Sequence, residues 1–150
     1  EEGVSYLRPR ISTKVDWEIQ SDSKELVALL NKPLFDWVIE NVCKNAVDAM
    51  KGKGVIRISL FQDNDKFVGI DISDTGMGIS EENQKKIFRP FFTTKGKKAT
   101  GLGLMIVSTI VENLGGVIGL RTEPTVGTSF KIASSLTISF TLVNLMIRAD

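Results

Sequence analysis

The sequence predicts an α/β (α+β) domain, a two-layer sandwich in which a mixed, mostly antiparallel sheet is covered on one face by helices. Three observations support this fold class. The 150 residues suffice for one domain with its own core and are too few for two. Apolar residues recur with a period of two in several segments and of 3.6 in others. These segments follow the order strand, helix, hairpin, irregular loop, helix, hairpin.

The first predicted elements are a strand and a long helix. Val15, Trp17 and Ile19 alternate with polar residues, which is typical of a half-buried strand. The helix is expected from Asn31 to Met50, because the asparagine is a good cap and a proline follows in the first turn. The apolar side chains of this helix share one arc and predict a core stripe of Phe35, Val38, Val42, Ala46 and Ala49.

The remaining elements are two hairpins separated by two helices and an irregular loop. In the first hairpin Val68, Ile70 and Ile72 share a face, and Asp74 is next in that row. The expected bounds are strands 55–62 and 67–73, a short helix 80–88, a cationic and aromatic loop 89–100 (the lid loop), a helix 101–114, and strands 117–121 and 128–133.

Composition excludes several kinds of site. The chain has no histidine, which rules out His-dependent triads and most zinc sites. Its net charge of +1 gives no bulk electrostatic reason to expect nucleic acid or an anionic membrane as a partner. Cys43 is the only cysteine, so no internal disulfide can form and a cytosolic setting fits. We expect Cys43 to be a core residue and not a nucleophile.

Asp74 is the first candidate functional residue. The strand period aims its carboxylate at the apolar side, where a carboxylate requires hydrogen-bond donors. Those donors are the N–H groups of the following glycine-rich turn or a ligand. The segment Asp74-Thr75-Gly76-Met77-Gly78 favours a ligand, because two glycines admit close approach of a flat molecule and a carboxylate suits an amino group such as adenine N6.

Asn41 and Asn45 lie one turn apart at the rim of the first helix's core stripe. Amides in this position often bond to neighbouring backbone. Their carbonyl oxygens also suit Mg²⁺, a hard cation that takes few protein ligands and several phosphate oxygens. The pair by itself does not decide between these roles.

Two glycines near the start of the last helix form a second candidate site. Glycine destabilises a helix by roughly 0.5–1 kcal/mol, so the segment Thr100-Gly101-Leu102-Gly103-Leu104 calls for a reason. Uncovered N–H groups at a helix N-terminus bind phosphate. The alternative is a tight turn into the helix.

The lid loop combines aromatic and cationic residues. Phe88, just before it, is expected in the core, whereas Phe91 and Phe92 have no evident core role. Lys95 and the nearby lysines 97 and 98 are either a solvated surface run or a cationic cover for a triphosphate. The sequence contains neither G-x-x-x-x-G-K-[ST] nor a post-strand G-x-G-x-x-G, so other nucleotide signatures are absent.

Together these segments resemble the Bergerat-fold (GHKL) ATPases, and among them the catalytic, ATP-binding domains of sensor histidine kinases. The resemblance covers about residues 15–133, and its five motifs occur in the expected order. They are an N box at Asn41–Ala49, a first glycine box at Asp74–Ile79, an F box at Phe88–Lys95, a second glycine box at Gly101–Leu104, and the pair Gly127-Thr128.

The resemblance implies a Bergerat ATP-binding fold with a mobile ATP lid, and ATP and Mg²⁺ as cofactors. Asp74 would bind the adenine amine with help from Thr128, and Asn45 would ligate Mg²⁺. Asn41 and Lys95 would be the catalytic positions, Lys95 as the lid cation. The other expected nucleotide contacts are Lys44, Asp48, Gly76, Gly78, Ile79, Phe92, Thr94, Thr100, Gly101, Leu102, Gly103 and Leu104.

The resemblance also implies a reaction. The γ-phosphoryl group would pass to a histidine on a dimerisation/phosphoacceptor helical hairpin of the same parent protein, and then to a response regulator receiver domain. In hydrolytic relatives of the gyrase, Hsp90 and MutL types a glutamate activates water at the position of Asn41, and an amide cannot accept that proton. The alternatives are a hydrolytic conformational clamp and a regulatory nucleotide-binding module.

The same resemblance implies a homodimeric parent and a cytoplasmic domain without nucleic-acid or direct membrane contact; anchoring of the parent in the inner or plasma membrane stays open. The sequence departs from the family at Ala99, where a glycine is frequent, and at Asp48, where many relatives carry a phosphate-binding cation. The expected domain is 14–133, after a helix end or linker at 1–13. The tail 134–150 is an extra strand, a disordered tail or a foreign segment.

Overall fold

The computed structural model describes residues 14–21, 25–26, 31–63, 66–135 and 147–148, and the predicted linker at 1–13 lies outside them. Within these ranges the elements follow the predicted order. They are β1 (Val15–Ser21), β2 (Glu25–Leu26), α1 (Lys32–Ala49), β3 (Gly54–Asp63), β4 (Phe67–Asp74), α2 (Glu81–Gln84), α3 (Gly103–Asn113), β5 (Gly116–Glu123), β6 (Gly127–Ser135) and β7 (Ile147–Arg148).

Five of the strands form one mixed sheet with the order β1-β3-β4-β6-β5. β1 and β3 are parallel, because α1 crosses over between them, and the other three pairs are antiparallel. The predicted mostly antiparallel sheet is therefore confirmed. β2 and β7 form a separate antiparallel pair, which brings part of the predicted tail next to the segment after β1.

The core lies between the sheet and the two longer helices. α1 packs against β3, β4 and α3, and α3 packs against β5. The predicted stripe of α1 is confirmed at Val38, Val42 and Ala46, which are buried. The stripe is wider than predicted, because Ile39 and Cys43 are buried as well, and burial raises the pKa of the Cys43 thiol to about 12.

The cap of α1 is also confirmed. The Asn31 side chain accepts a hydrogen bond from the Leu34 backbone N–H at 3.2 Å, which satisfies one of the free donors of the first turn. None of the helices in the described ranges has the length and apolar character needed to cross a membrane.

Two predicted helix bounds are wrong. The short helix ends at Gln84, not at residue 88, because the following residues form i→i+3 turns such as that from Lys86 N–H to the Asn83 carbonyl. Lys85 and Lys86, which fall inside the predicted bounds, therefore lie beyond the helix. The last helix begins at Gly103, with Leu102 as its cap, so Gly101 lies outside the first turn.

Candidate functional site

Asp74 lies at the end of β4, in register with Thr128 on β6. Its row on β4 contains the buried Ile70 and Ile72, which confirms the predicted inward direction. The carboxylate is half-buried and accepts a hydrogen bond from the Gly76 N–H at 2.8 Å. Burial raises its pKa above the usual range, and the backbone N–H groups of Gly76 and Thr128 offset part of that rise. The site therefore contains an acceptor that is only partly satisfied by protein.

The turn after Asp74 lies against the end of α1. A Cβ on Gly76 would come within 2.8 Å of the Ala49 side chain, and the Met77 N–H donates to the Ala49 carbonyl at 3.2 Å. Gly78 has φ of 68°, and a Cβ there would meet the Glu123 carbonyl oxygen. Contacts within the protein thus already require both glycines; their expected contact with a ligand stays a prediction.

A pair of hydroxyl groups lies beside Asp74 on β5 and β6. Thr128 is 6% exposed, and its Oγ1 is 2.9 Å from the Oγ1 of Thr122. Thr122 also accepts the Ile79 N–H at 2.9 Å, which fixes the first glycine box against the hairpin. The motifs did not indicate Thr122. The register of the β5–β6 hairpin, which pairs it with Thr128, is the signal that could have found it.

Gly127 is required by a close approach of two strands. Its φ is 147°, and a Cβ there would lie 2.0 Å from the Asp74 carbonyl oxygen. Only a residue without a side chain lets β6 come this near to the end of β4. The predicted Gly127-Thr128 pair therefore meets Asp74 directly.

The polar row of α1 faces the lid loop. Asn41 donates its side-chain N–H to the Trp37 carbonyl at 2.8 Å, which is the structural role that the sequence left open. The Lys95 ammonium donates to the Asn45 Oδ1 and to the Asp48 Oδ2, both at 2.5 Å. Lys95 thus contacts two predicted site residues of α1 that lie 50 and 47 positions earlier in the sequence.

Lys44 is not part of that contact. Its ammonium forms an ion pair with Glu40 at 2.7 Å, one turn earlier on α1. Glu40, the carboxylate residue directly before Asn41 in sequence, is therefore paired with a neighbouring cation. The predicted role of Lys44 at a nucleotide stays a prediction.

The lid loop is anchored at one end and exposed in the middle. Phe88 packs edge-on against Phe130 with ring centroids 6.4 Å apart, which confirms its predicted core position. The expectation that Phe92 has no core role is wrong, because this side chain packs against the core, whereas Phe91 is 76% exposed and has φ of 63°. Thr94, which was predicted to contact the nucleotide, is exposed.

The second glycine box joins the lid loop to α3. Gly101 has φ of 69°, and a Cβ there would lie 2.5 Å from the Phe91 backbone. Glycine is therefore required here because the two ends of the lid loop lie so close together. Gly103 is the first residue of α3, and a Cβ there would lie 3.3 Å from the Asn41 Oδ1. The N-terminus of α3 is therefore next to α1. Thr100 accepts the N–H of Leu102, and Leu104 packs against the core.

A cleft of about 590 Å³ opens between the lid loop and the end of α1. Its lining contains three lysines and one carboxylate: Val47, Asp48, Lys51, Gly52, Lys95, Lys98 and Ala99. Neither Asp74 nor Thr128 lines this cleft. Lys51, at the end of α1 with φ of 55°, is a cation that the motifs did not indicate.

Residues 31–138 match the family described as histidine kinase-, DNA gyrase B-, and HSP90-like ATPase. The chain belongs to this ATPase family. Among solved structures, this ATPase-family domain is similar to the catalytic domain of histidine kinase ThkA. The TM-score is 0.79 at 29% identity, over 90% of this chain and 88% of that one. The predicted Bergerat fold is thereby confirmed.

Two curated relatives are named as kinases. Sporulation kinase A of Bacillus subtilis is 43% identical over 96 residues, which cover 64% of this chain and 16% of that protein. The signal transduction histidine-protein kinase AtoS of Escherichia coli is 36% identical over 122 residues, which cover 81% of this chain and 20% of that protein. The chain thus spans a fifth or less of the length of these relatives.

These comparisons confirm the prediction of an ATPase domain of the histidine-kinase type. ATP as the ligand is confirmed at the level of the family. Mg²⁺, the individual contact residues and the partners remain predictions.

Proposed function

We propose that this domain binds ATP with Mg²⁺ and donates the γ-phosphoryl group to a histidine on a separate dimerisation/phosphoacceptor helical hairpin of its parent protein. From there the phosphoryl group passes to the receiver domain of a response regulator. The similarity to a relative named as a histidine-protein kinase supports this proposal. Because the chain itself contains no histidine, the proposed acceptor lies on another domain.

Asp74 is the proposed adenine-binding residue. Its carboxylate lies at the sheet end beside the buried Thr128 hydroxyl, and protein N–H groups satisfy it only in part. An exocyclic amine of adenine supplies the missing donor. A charge-assisted hydrogen bond of this kind is worth about 1.5–3 kcal/mol, enough for at least tenfold in affinity.

We assign the phosphate end of the proposed site to α1, the lid loop and the start of α3. Asn45 and Asp48 offer two oxygens that already hold a cation, the Lys95 ammonium, so the donor set fits a hard cation such as Mg²⁺. When bound, Mg²⁺ neutralises charge on the phosphates. The N-terminal N–H groups of α3, which begins next to Asn41, are the proposed donors to phosphate oxygens.

The observation that favours transfer over hydrolysis is the side chain at position 41. Asn41 is an amide whose N–H is bonded to the Trp37 carbonyl, and an amide cannot remove a proton from water. Glu40 lies about 100° around the helix axis from Asn41, and its carboxylate is paired with Lys44. Without a general base at position 41, we expect the domain to hold ATP for a protein acceptor and to hydrolyse it slowly.

The test is phosphoryl transfer from γ-labelled ATP to the cognate helical hairpin added in trans. We expect label on the hairpin histidine and little label released as phosphate. Asp74→Asn should reduce the transfer rate at subsaturating ATP by tenfold or more. Asp71→Asn is the matched control, since Asp71 lies on the same strand but bonds to Ser129 on the other face of the sheet.

Two results would contradict the proposal. Rapid release of phosphate without labelling of the hairpin would indicate a hydrolytic clamp. Equal transfer rates for the Asp74 and Asp71 variants would mean that the carboxylate of Asp74 does not recognise adenine.

A further inference from the structure

Two oxygens on one face of α1 converge on a single cation. Asn45 and Asp48 are three residues apart, so their side chains are neighbours on the helix surface. The Lys95 ammonium lies 2.5 Å from the Asn45 Oδ1 and 2.5 Å from the Asp48 Oδ2. The resemblance to the ATPase family assigns a metal to Asn45 only, whereas the geometry pairs it with a carboxylate.

We propose that Asn45 and Asp48 form one cation site, which Lys95 occupies in the structure and from which a divalent cation, alone or together with ATP, displaces it. This inference rests on the proposed function, because it concerns the phosphate end of that same site. Asp48 is thereby a metal-binding residue, and Lys95 is a competitor carried by the lid loop.

The chemistry of the two oxygens supports the exchange. Mg²⁺ usually takes one or two carboxylates together with phosphate oxygens, and a neutral amide alone is a weaker ligand. Asp48 adds the full negative charge that Asn45 lacks. The same two oxygens cannot hold an ammonium and a dication at contact distance, because the two positive charges repel each other.

The exposure of the pair supports ready displacement. The side chains of Lys95 and Asp48 are 39% and 54% exposed. An ion pair this close to solvent contributes little net stability, so a dication bound to phosphates can replace the ammonium. The displaced Lys95 stays in the cleft that Lys51 and Lys98 also line, where a phosphate is its natural partner.

The exchange links the metal to the lid loop. While Lys95 bonds to Asn45 and Asp48, it ties the middle of the loop to α1 across 47 to 50 positions of sequence. Arrival of the dication releases that tie. Metal binding and release of the loop from α1 are therefore one event.

The experiment measures binding of Mn²⁺ alone to the nucleotide-free chain by electron paramagnetic resonance, since Mn²⁺ accepts the same oxygen ligands as Mg²⁺. Lys95→Met keeps the aliphatic stem and removes the competitor. We expect it to bind Mn²⁺ roughly two- to fivefold more tightly than the unchanged chain, the range that an exposed ion pair supports. Adding Asp48→Asn to Lys95→Met should abolish that gain.

Lys98→Met is the matched control, because it removes the same charge from the same cleft. We expect it to change Mn²⁺ affinity by less than half as much as Lys95→Met. Equal effects of the two lysine variants, or no detectable Mn²⁺ binding by Lys95→Met, would overturn the inference. So would a gain in affinity that survives Asp48→Asn.

These outcomes are separable from the proposed function. If the chain binds no ATP, the proposed function fails while the Mn²⁺ titrations still decide the cation site. If phosphoryl transfer proceeds and the two lysine variants behave alike, only the shared cation site is wrong.

Discussion

Asp74 shows how one residue can be unfavourable for the empty domain and useful for binding. Its carboxylate closes an apolar row of β4, and burial raises its pKa because the charged form loses hydration. The N–H groups of Gly76 and Thr128 compensate only in part. A ligand that donates a further hydrogen bond therefore gains from a charge that the folded chain already keeps partly desolvated.

A pH-dependent stability measurement tests this environment. In the folded domain Asp74 binds its proton more tightly than in the unfolded chain, where its pKa is about 3.9. Stability is therefore lost as the pH rises from that value through the higher folded pKa. We expect Asp74→Asn to raise the free energy of unfolding of the nucleotide-free domain at pH 7, and the gain to shrink as the pH falls toward about 4.

Urea unfolding across that pH range is the measurement, with Asp71→Asn as the control for loss of a charge from β4. The asparagine at position 74 can still accept the Gly76 N–H, so the comparison isolates the charge. A gain that is the same at every pH would show that the carboxylate is not desolvated.

Among the elements, β6 depends on a glycine where it meets β4. Gly127 has φ of 147°, and a Cβ would lie 2.0 Å from the Asp74 carbonyl oxygen. We expect Gly127→Ala to lower the free energy of unfolding by about 3 kcal/mol or more, because it combines backbone strain with a backbone clash.

Gly96→Ala in the lid loop is the control for this substitution. Its φ of 79° is also left-handed, but a Cβ there meets nothing within 4 Å. Gly96→Ala should lower the free energy of unfolding by about 1 kcal/mol, because only the left-handed backbone conformation is unfavourable there. Similar losses in the two variants, measured by urea unfolding, would mean that the strands can separate to admit a methyl group.

The elements also show what sequence patterns can predict. α1 and the strands were predictable because their signals are local: a cap, a proline and a regular apolar period. The end of α2 was not predictable, because i→i+3 turns replace the helix after Gln84 without changing the pattern of apolar residues. The predicted start of α3 was wrong because Gly101 is required by its close approach to the backbone of Phe91, ten positions away, and not by the helix.

The sequence predicted which residues belong to the candidate site better than it predicted the contacts between them. Asp74, Asn45 and Lys95 were identified from their motifs, and the inward direction of Asp74 followed from strand period. Thr122 and the contact of Lys95 with Asp48 depend on the strand register and on the path of the lid loop. Tertiary packing determines both, and no local pattern carries that information.

At the scale of the whole molecule, α1 joins the two ends of the site. Its last residue, Ala49, contacts the turn after Asp74. Its polar row contacts the lid loop through Asn45 and Asp48 and lies next to the start of α3 at Asn41. A ligand that reaches from Asp74 to Asn45 therefore touches the sheet, both longer helices and the lid loop. Binding of such a ligand therefore stabilises all of these elements together.

This arrangement predicts that nucleotide stabilises the folded domain as a unit. At 100 times the dissociation constant, a ligand that binds only the folded state adds about 2.7 kcal/mol. For a chain of this size we expect Mg·ATP to raise the melting temperature by about 5–10 °C at that concentration. Mg·GTP at the same concentration should produce a much smaller rise, because guanine presents a carbonyl oxygen where adenine presents its amine, and two acceptors repel each other at Asp74.

Differential scanning calorimetry of the full chain with each nucleotide measures this difference, and Asp74→Asn supplies its control. An asparagine side chain has both a donor and an acceptor, so the variant should lose most of its discrimination between the two bases. Equal shifts for Mg·ATP and Mg·GTP in the unchanged chain would show that the base does not meet the Asp74 carboxylate. An equally large rise in melting temperature with inorganic triphosphate alone would indicate that the phosphate end of the site provides most of the binding energy.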